Sequence, residues 1–195
     1  MIPDYRRTGE GAKFPSGGED VAAALAWVKN KYSSGSHKVY IMGNSAGAVH
    51  SSTWLLEPTF AESRKSLSSG SLVVQGVVLV SMPAHFKVFD ESRSEVLTAY
   101  YGDKLVEHAA HGLVEHAQQP EIKTLVVTGT LDPEDEICKP SDDFVQAWKS
   151  RFGGENLKVV VLEGHNHFST VTALGTGIER EESLGTEVLS WIKSQ

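Results

Sequence analysis

The sequence predicts an α/β protein: a three-layer sandwich in which helices cover both faces of a mainly parallel sheet of about four to five strands. Short, almost continuously apolar runs alternate along the chain with amphipathic helical patterns. Such runs are typical of strands buried on both faces, and the alternation with helices is typical of parallel sheets. The 195 residues include no linker, low-complexity tract or internal repeat. We therefore expect a single domain over residues 1–195.

The individual elements follow from the local pattern. Apolar runs rich in β-branched residues predict four strands, at 38–42, 72–81, 124–128 and 158–162. Apolar residues at helical spacing predict four helices, at 18–32, 46–56, 141–152 and 185–193. Residues 93–117 are helical in pieces, because Tyr101-Gly102-Asp103 interrupts the pattern.

The charge and the composition exclude several classes of protein. The net charge is −7, from 25 acidic and 18 basic residues, so no basic surplus exists to neutralise nucleic-acid phosphates. No apolar stretch is long enough for a membrane helix, and the first residues lack the apolar segment of a secretory signal. Cys138 is the single cysteine, so no internal disulfide can form. We expect a protein of the reducing cytoplasm that binds neither nucleic acid nor membrane.

A candidate nucleophile lies directly after the first strand, in KVYIMGNSAGAVH. Gly43, Ser45 and Gly47 form a G-x-S-x-G pattern, which in hydrolases is a sharp strand-to-helix turn that exposes the serine hydroxyl. The two glycines would leave room where a side chain collides with a neighbouring element. The amide of Ala46, at the start of the helix, is a natural oxyanion donor. The alternative is a Gly/Ser turn without chemistry.

A base and an acid follow in the order that this chemistry requires. A serine nucleophile needs a histidine base and an orienting carboxylate, each from a loop after a strand, in the chain order serine, acid, histidine. Asp132 is the first carboxylate after the third strand, and Asp135 is the alternative. His165 and His167 both follow the fourth strand. Asn44 and His165 flank these groups and are predicted to contact the substrate.

The remaining histidines do not predict a metal site. His108 and His111 are spaced to share a helical face. They lack the His-Glu-x-x-His order of zinc hydrolases, and no third ligand is evident. We interpret them as a polar helix surface and expect neither a metal nor another cofactor.

Several short motifs point to a known family: Asp4-Tyr5-Arg6, Phe14-Pro15, Glu19-Asp20-Val21, Gly43-Asn44-Ser45-Ala46-Gly47, Tyr100-Tyr101-Gly102-Asp103, Gly129-x-x-Asp132-Pro133 and His167-Phe168. On these motifs the sequence resembles α/β-hydrolase carboxylesterases, in the branch that contains hormone-sensitive-lipase-like esterases and kynurenine formamidase-like enzymes. The resemblance implies that the acid is the aspartate before proline, Asp132, and that the base is the histidine before an aromatic residue, His167. It also implies a small cap-like helical segment around residues 83–118.

The same resemblance implies that the chain lacks parts of the family's domain. Asp4-Tyr5-Arg6 matches the end of the family's fourth strand, and no His-Gly-Gly oxyanion loop occurs in the sequence. Ala46 would then be the remaining oxyanion donor. The strand at 38–42 would become a sheet edge, and an apolar edge of this kind predicts pairing with another copy of the chain.

Together these features predict a serine hydrolase that cleaves a small carboxylic ester or amide through an acyl-enzyme. Two other hypotheses remain open. In the first, the chain is a catalytically impaired or non-catalytic hydrolase scaffold with a binding role. In the second, it is an acyltransferase or cyclase on the same fold.

Overall fold

The computed structural model describes residues 1–195 and contains one parallel sheet of four strands. The strands lie side by side in chain order: β1 (His37–Asn44), β2 (Leu72–Val80), β3 (Lys123–Gly129) and β4 (Leu157–Leu162). All three neighbouring pairs are parallel. The predicted α/β class and the four predicted strands are confirmed.

Nine α-helices precede, connect or follow the strands. Four of them correspond to the predicted helices, and the pieces predicted over 93–117 form three more. The short helices α3 and α8 were not predicted. The helices are α1 (Ser16–Lys31), α2 (Ala46–Leu56), α3 (Ala61–Ser66), α4 (Ser94–Tyr101), α5 (Leu105–His108), α6 (Ala110–His116), α7 (Lys139–Phe152), α8 (Ser169–Thr172) and α9 (Ser183–Lys193).

The core lies on both faces of the sheet. Alternate residues of a strand point to opposite faces, and β2 shows this division: Val77 and Leu79 belong to one buried cluster, while Val78 and Val80 belong to another. The larger cluster includes the fully buried side chains of the helices on its face, Trp54, Phe144 and Trp148. The smaller cluster is closed by Leu184 and Trp191 of α9. This burial on both faces explains the nearly continuous apolar runs in the sequence.

β1 forms one edge of the sheet, as predicted for residues 38–42. It pairs with β2 alone, so the backbone groups on its other side have no strand partner in this chain. Met42 on this strand is 50% exposed. Pairing of this edge with a second copy stays a prediction. No helix of the structure has the length and apolar character needed to span a membrane.

The segment around 83–118 contains α4, α5 and α6 and has a small apolar cluster of its own. Leu97, Tyr100 and Tyr101 are buried there against Phe14 and Phe86. The rings of Tyr100 and Tyr101 are nearly perpendicular, with an interplanar angle of 87° and 4.8 Å between ring centroids. The helices are therefore present where a cap-like segment was predicted, and their role as a cap stays a prediction.

The topology brings the loops of interest together. Because all four strands are parallel, their carboxyl ends meet at one edge of the sheet, where ligands of open α/β sheets bind. The residues that follow β1, β2, β3 and β4 all lie at that edge.

Candidate active site

Ser45 lies at the junction of β1 and α2 in a strained backbone conformation. Its φ is 52° and its ψ is −118°, and a positive φ is uncommon for a residue other than glycine. The Ser45 amide donates a hydrogen bond of 2.9 Å to the carbonyl of Val80, which holds the turn against β2. This sharp strand-to-helix turn is the one that the G-x-S-x-G pattern predicted.

The two glycines of the pattern differ in what surrounds them. A Cβ at Gly43 would overlap the carbonyl group of Gly47, so glycine is needed there for the strand and the helix to approach. A Cβ at Gly47 would meet no atom within 4 Å. The expectation that both glycines relieve a collision is thus wrong for Gly47, because nothing in this chain packs against that side of the turn.

His167 contacts the serine hydroxyl. Its Nε2 lies 2.9 Å from the Ser45 Oγ, across 122 residues of sequence. The residue follows β4, and its side chain is one-quarter exposed. The imidazole is therefore within hydrogen-bond distance of the nucleophile that the sequence predicted, while one face of the site stays open to solvent.

Asp132 lies behind His167 in the interior. Its side chain is fully buried, and its Oδ1 lies 3.7 Å from the His167 Nδ1. This separation is longer than a hydrogen bond. Neither atom has another partner, so nothing competes for the contact, and a shift of less than about 1 Å would close it.

Asp135, the alternative acid, lies on the surface. Its Oδ1 pairs with the Lys139 ammonium at 2.7 Å, and both side chains are exposed. Of the two acids, Asp132 is the one that lies beside the imidazole.

His165 is buried rather than open to a substrate. Its Nε2 lies 2.9 Å from the carbonyl oxygen of Arg180 and 3.0 Å from the Ser183 Oγ. Its Nδ1 lies 3.4 Å from the Ser169 Oγ. Since both ring nitrogens are occupied by the chain itself, we correct the prediction of substrate contact: His165 anchors the loop that carries His167.

Asn44 and Ala46 flank the serine in the chain, and their roles in substrate binding and oxyanion stabilisation stay predictions. The Asn44 side chain is partly buried, and its Nδ2 has no hydrogen-bond partner. Ala46 is exposed and is the first residue of α2. Its amide is one of the first-turn N–H groups that have no acceptor within a helix, and the positive end of the helix dipole lies there. The position suits an oxyanion donor.

Sequence reasoning missed Ser81 as a residue of this site, and it named Gly129 in the acid motif without a role. The Asp132 Oδ2 accepts hydrogen bonds from the Ser81 Oγ and from the Gly129 amide, both at 2.8 Å. A Cβ at Gly129 would overlap the carbonyl of His165, so glycine lets the acid and base loops approach each other. Both residues end or directly follow a strand, and that position was the available signal.

The structure contains no group of three or more His, Cys, Asp or Glu side chains arranged to hold a metal ion. His108 packs against the Phe14 ring with 4.0 Å between centroids. His111 lies beside His85 instead, with 5.8 Å between those rings.

Comparison with solved structures identifies the fold. The carboxylesterase Cest-2923 from Lactobacillus plantarum matches 98% of this chain with a TM-score of 0.74 at 15% sequence identity, and the match spans 72% of that protein. Esterase B from Lactobacillus rhamnosis matches 97% with a TM-score of 0.72 at 17% identity, over 63% of its own length. The Est2 esterase from Thermogutta terrifontis matches 97% with a TM-score of 0.63 at 18% identity, over 70% of its length.

The chain therefore has the α/β-hydrolase fold that carboxylesterases share, as the sequence resemblance implied. No protein-family model matches the sequence, and a search of curated proteins gives no significant match. The chain spans between 63% and 72% of these three structural neighbours.

Proposed function

We propose that this chain is a serine hydrolase that cleaves a small carboxylic ester or amide through an acyl-enzyme. One observation carries the proposal: the His167 Nε2 lies 2.9 Å from the Ser45 Oγ, with the buried carboxylate of Asp132 on the other side of the ring. A nucleophile, a base and a buried acid in this arrangement are the elements of acyl transfer.

Each residue has a definite role in the proposed reaction. His167 removes the hydroxyl proton as Ser45 attacks the carbonyl carbon, and Asp132 stabilises the imidazolium that forms. The Ala46 amide donates to the developing oxyanion. His167 then protonates the leaving group, and a water molecule activated by the same imidazole hydrolyses the acyl-enzyme.

The surroundings of the site support an apolar substrate. Phe168 is 74% exposed, and its ring lies 5.7 Å from the His167 ring, measured between centroids. A large apolar side chain that stays open to solvent beside the base is suited to contact an acyl or aryl group. Among the structural neighbours, the Thermogutta Est2 has a structure with butyrate bound, and the Lactobacillus rhamnosis esterase B has one inhibited by a tributyrin phosphonate. We therefore propose a short acyl chain.

Burst kinetics test the proposal. The parent chain is expected to release p-nitrophenol from p-nitrophenyl acetate in a burst that approaches one equivalent per chain, and Ser45→Ala is expected to give no burst. Ser68→Ala is the matched control, because that serine is exposed and donates its hydroxyl hydrogen bond to the carbonyl of Lys65. A burst from Ser45→Ala equal to that of the parent would exclude Ser45 as the nucleophile.

A second candidate is a non-catalytic scaffold on the same fold. The 3.7 Å between Asp132 and His167 favours it, and so does the open side of the nucleophile turn at Gly47. A fluorophosphonate probe separates the two candidates. Stoichiometric labelling at Ser45 supports the hydrolase, whereas a folded chain that remains unlabelled supports the scaffold.

A further inference from the structure

Ser81 is a second strained serine at the same edge of the sheet. It directly follows β2 and is fully buried. Its φ is 46°, and only Ser45 and Ser81 among the residues other than glycine have a positive φ. The Ser81 amide donates a hydrogen bond of 2.8 Å to the carbonyl of Val127. Backbone strain persists where the surroundings hold it in place, and it is common at functional sites.

The hydroxyl of Ser81 is directed at the acid. It donates 2.8 Å to the Asp132 Oδ2, which also accepts the Gly129 amide. Both donors bind the same carboxylate oxygen, so the other oxygen, Oδ1, is left facing the His167 Nδ1. Rotation of the carboxylate would break two charge-assisted hydrogen bonds in the interior, where they are hardest to replace.

We propose that Ser81 is a positioning residue for catalysis: its hydroxyl fixes the rotation of the Asp132 carboxylate, so that Oδ1 is presented to His167. The inference rests on the proposed hydrolase function. A glycine at position 81 would adopt the observed backbone without strain. A serine there retains the strain and adds a single hydroxyl group, and that hydroxyl makes the bond to Asp132.

Two substitutions separate the hydroxyl from the backbone. Ser81→Gly removes the hydroxyl and relieves the positive φ, whereas Ser81→Ala removes the hydroxyl and keeps the strain. Ser52→Ala is the matched control, because Ser52 is equally buried and its hydroxyl donates only to the helix carbonyl of Val49.

The rate is measured per active site, with the number of sites titrated by a fluorophosphonate. We expect both Ser81 variants to lose about tenfold in kcat and to keep KM within about twofold, because the lost hydrogen bond acts on the base rather than on substrate binding. The acidic limb of the pH–rate profile is expected to move to lower pH, because a misoriented carboxylate stabilises the imidazolium less. Ser52→Ala should retain the kcat and the profile of the parent.

A double substitution tests the route through Asp132. If Ser81 acts through the carboxylate, Ser81→Gly should lower the rate by less than about twofold in a chain that already carries Asp132→Asn. A full tenfold loss in that background would show that Ser81 acts elsewhere.

The outcomes of these experiments are distinguishable. Folded Ser81 variants with the kcat and pH profile of the parent would overturn the inference, as would variants that lose titratable sites while keeping the rate per site. A parent chain that neither labels at Ser45 nor turns over would instead refute the proposed function, and the inference would fall with it.

Discussion

Asp132→Asn is the substitution for which the structure makes the sharpest prediction. The asparagine has nearly the same shape, so the buried site should keep its packing. Its side chain, however, carries one acceptor and one donor where the carboxylate carries two acceptors. The Ser81 hydroxyl and the Gly129 amide both donate to the Oδ2 position. The amide oxygen must therefore take that position, which directs the amide nitrogen toward His167.

This orientation fixes the wrong tautomer of the base. The asparagine nitrogen donates, so the His167 Nδ1 must accept, and the ring proton then resides on Nε2. Nε2 is the atom that lies 2.9 Å from the Ser45 Oγ, and once protonated it cannot remove the hydroxyl proton. Loss of the correct tautomer in a serine hydrolase lowers kcat by about 10⁴-fold. We expect a loss of about 10³- to 10⁴-fold here.

Steady-state hydrolysis of p-nitrophenyl acetate, normalised to the folded fraction from circular dichroism, measures the effect. Asp135→Asn is the matched control, because that carboxylate is exposed and pairs only with Lys139. Surface ion pairs contribute little, so its kcat should stay within about twofold of the parent. If Asp132→Asn keeps a tenth or more of the parent kcat, or if Asp135→Asn is the variant that loses activity, the assignment of the acid is wrong.

Three further predictions follow from packing and burial. Gly129→Ala should lower kcat by more than about tenfold and stability by about 1–3 kcal/mol, because the added methyl overlaps the His165 carbonyl. A burst assay measures the first effect and a thermal melt the second. Unchanged values would contradict the close approach of the two loops. Burial holds the pKa of His50 below its ordinary value of 6.5, so the folded state favours the neutral ring. Its contribution to stability is complete above about pH 6.5 and falls as the pH drops, because the unfolded chain then takes up the proton first. Urea unfolding at pH 7.5 and 5.5 should therefore show a smaller acid-induced loss for His50→Phe than for the parent, and an equal loss would contradict this. Trp54 is fully buried and Trp27 is 56% exposed, so Trp54→Ala should cost about 3–5 kcal/mol and Trp27→Ala less than about 1 kcal/mol in the same assay, whereas equal costs would refute the burial argument.

The order of the elements was predictable because the two central strands are buried on both faces. The runs at 72–81 and 124–128 are apolar at nearly every position, and they became the central strands β2 and β3. The helix predicted at 46–56 has the observed bounds, Ala46–Leu56. The helix α3 was missed because Ala61–Ser66 buries no residue, which leaves no apolar period to detect.

The site was predictable only as far as chain order determines it. Ser45, Asp132 and His167 each follow a strand of a parallel sheet, so topology alone places them at one edge. The hydrogen bond from Ser81 to Asp132 and the burial of His165 depend on the direction of individual side chains in loops, which spacing does not encode. The same holds for the 3.7 Å between Asp132 and His167.

The placement of Ser45 and the acid depends on strand pairing within this chain. Beyond the end of each of three strands, one more amide continues the ladder: Ser45 donates to Val80, Ser81 donates to Val127, and Thr130 donates to the carbonyl of Leu162. The acceptors lie on β2, β3 and β4, so each bond holds the end of one strand against its neighbour. None of these bonds involves the open edge of β1. The position of Ser45 relative to the loop that carries Asp132 therefore rests on hydrogen bonds among the four strands of this chain and the residues that follow them.

Stabilisation of the oxyanion has a different basis, because the amide assigned to it belongs to Ala46, on the turn whose Gly47 side is open. Each missing donor of an oxyanion hole lowers kcat by about 10²- to 10³-fold. The final extent of labelling by a fluorophosphonate, in contrast, depends on the presence of a nucleophile and its base. Complete labelling of Ser45 combined with slow turnover is therefore the result that this arrangement predicts, and fast turnover would require a second donor near the Ser45 hydroxyl.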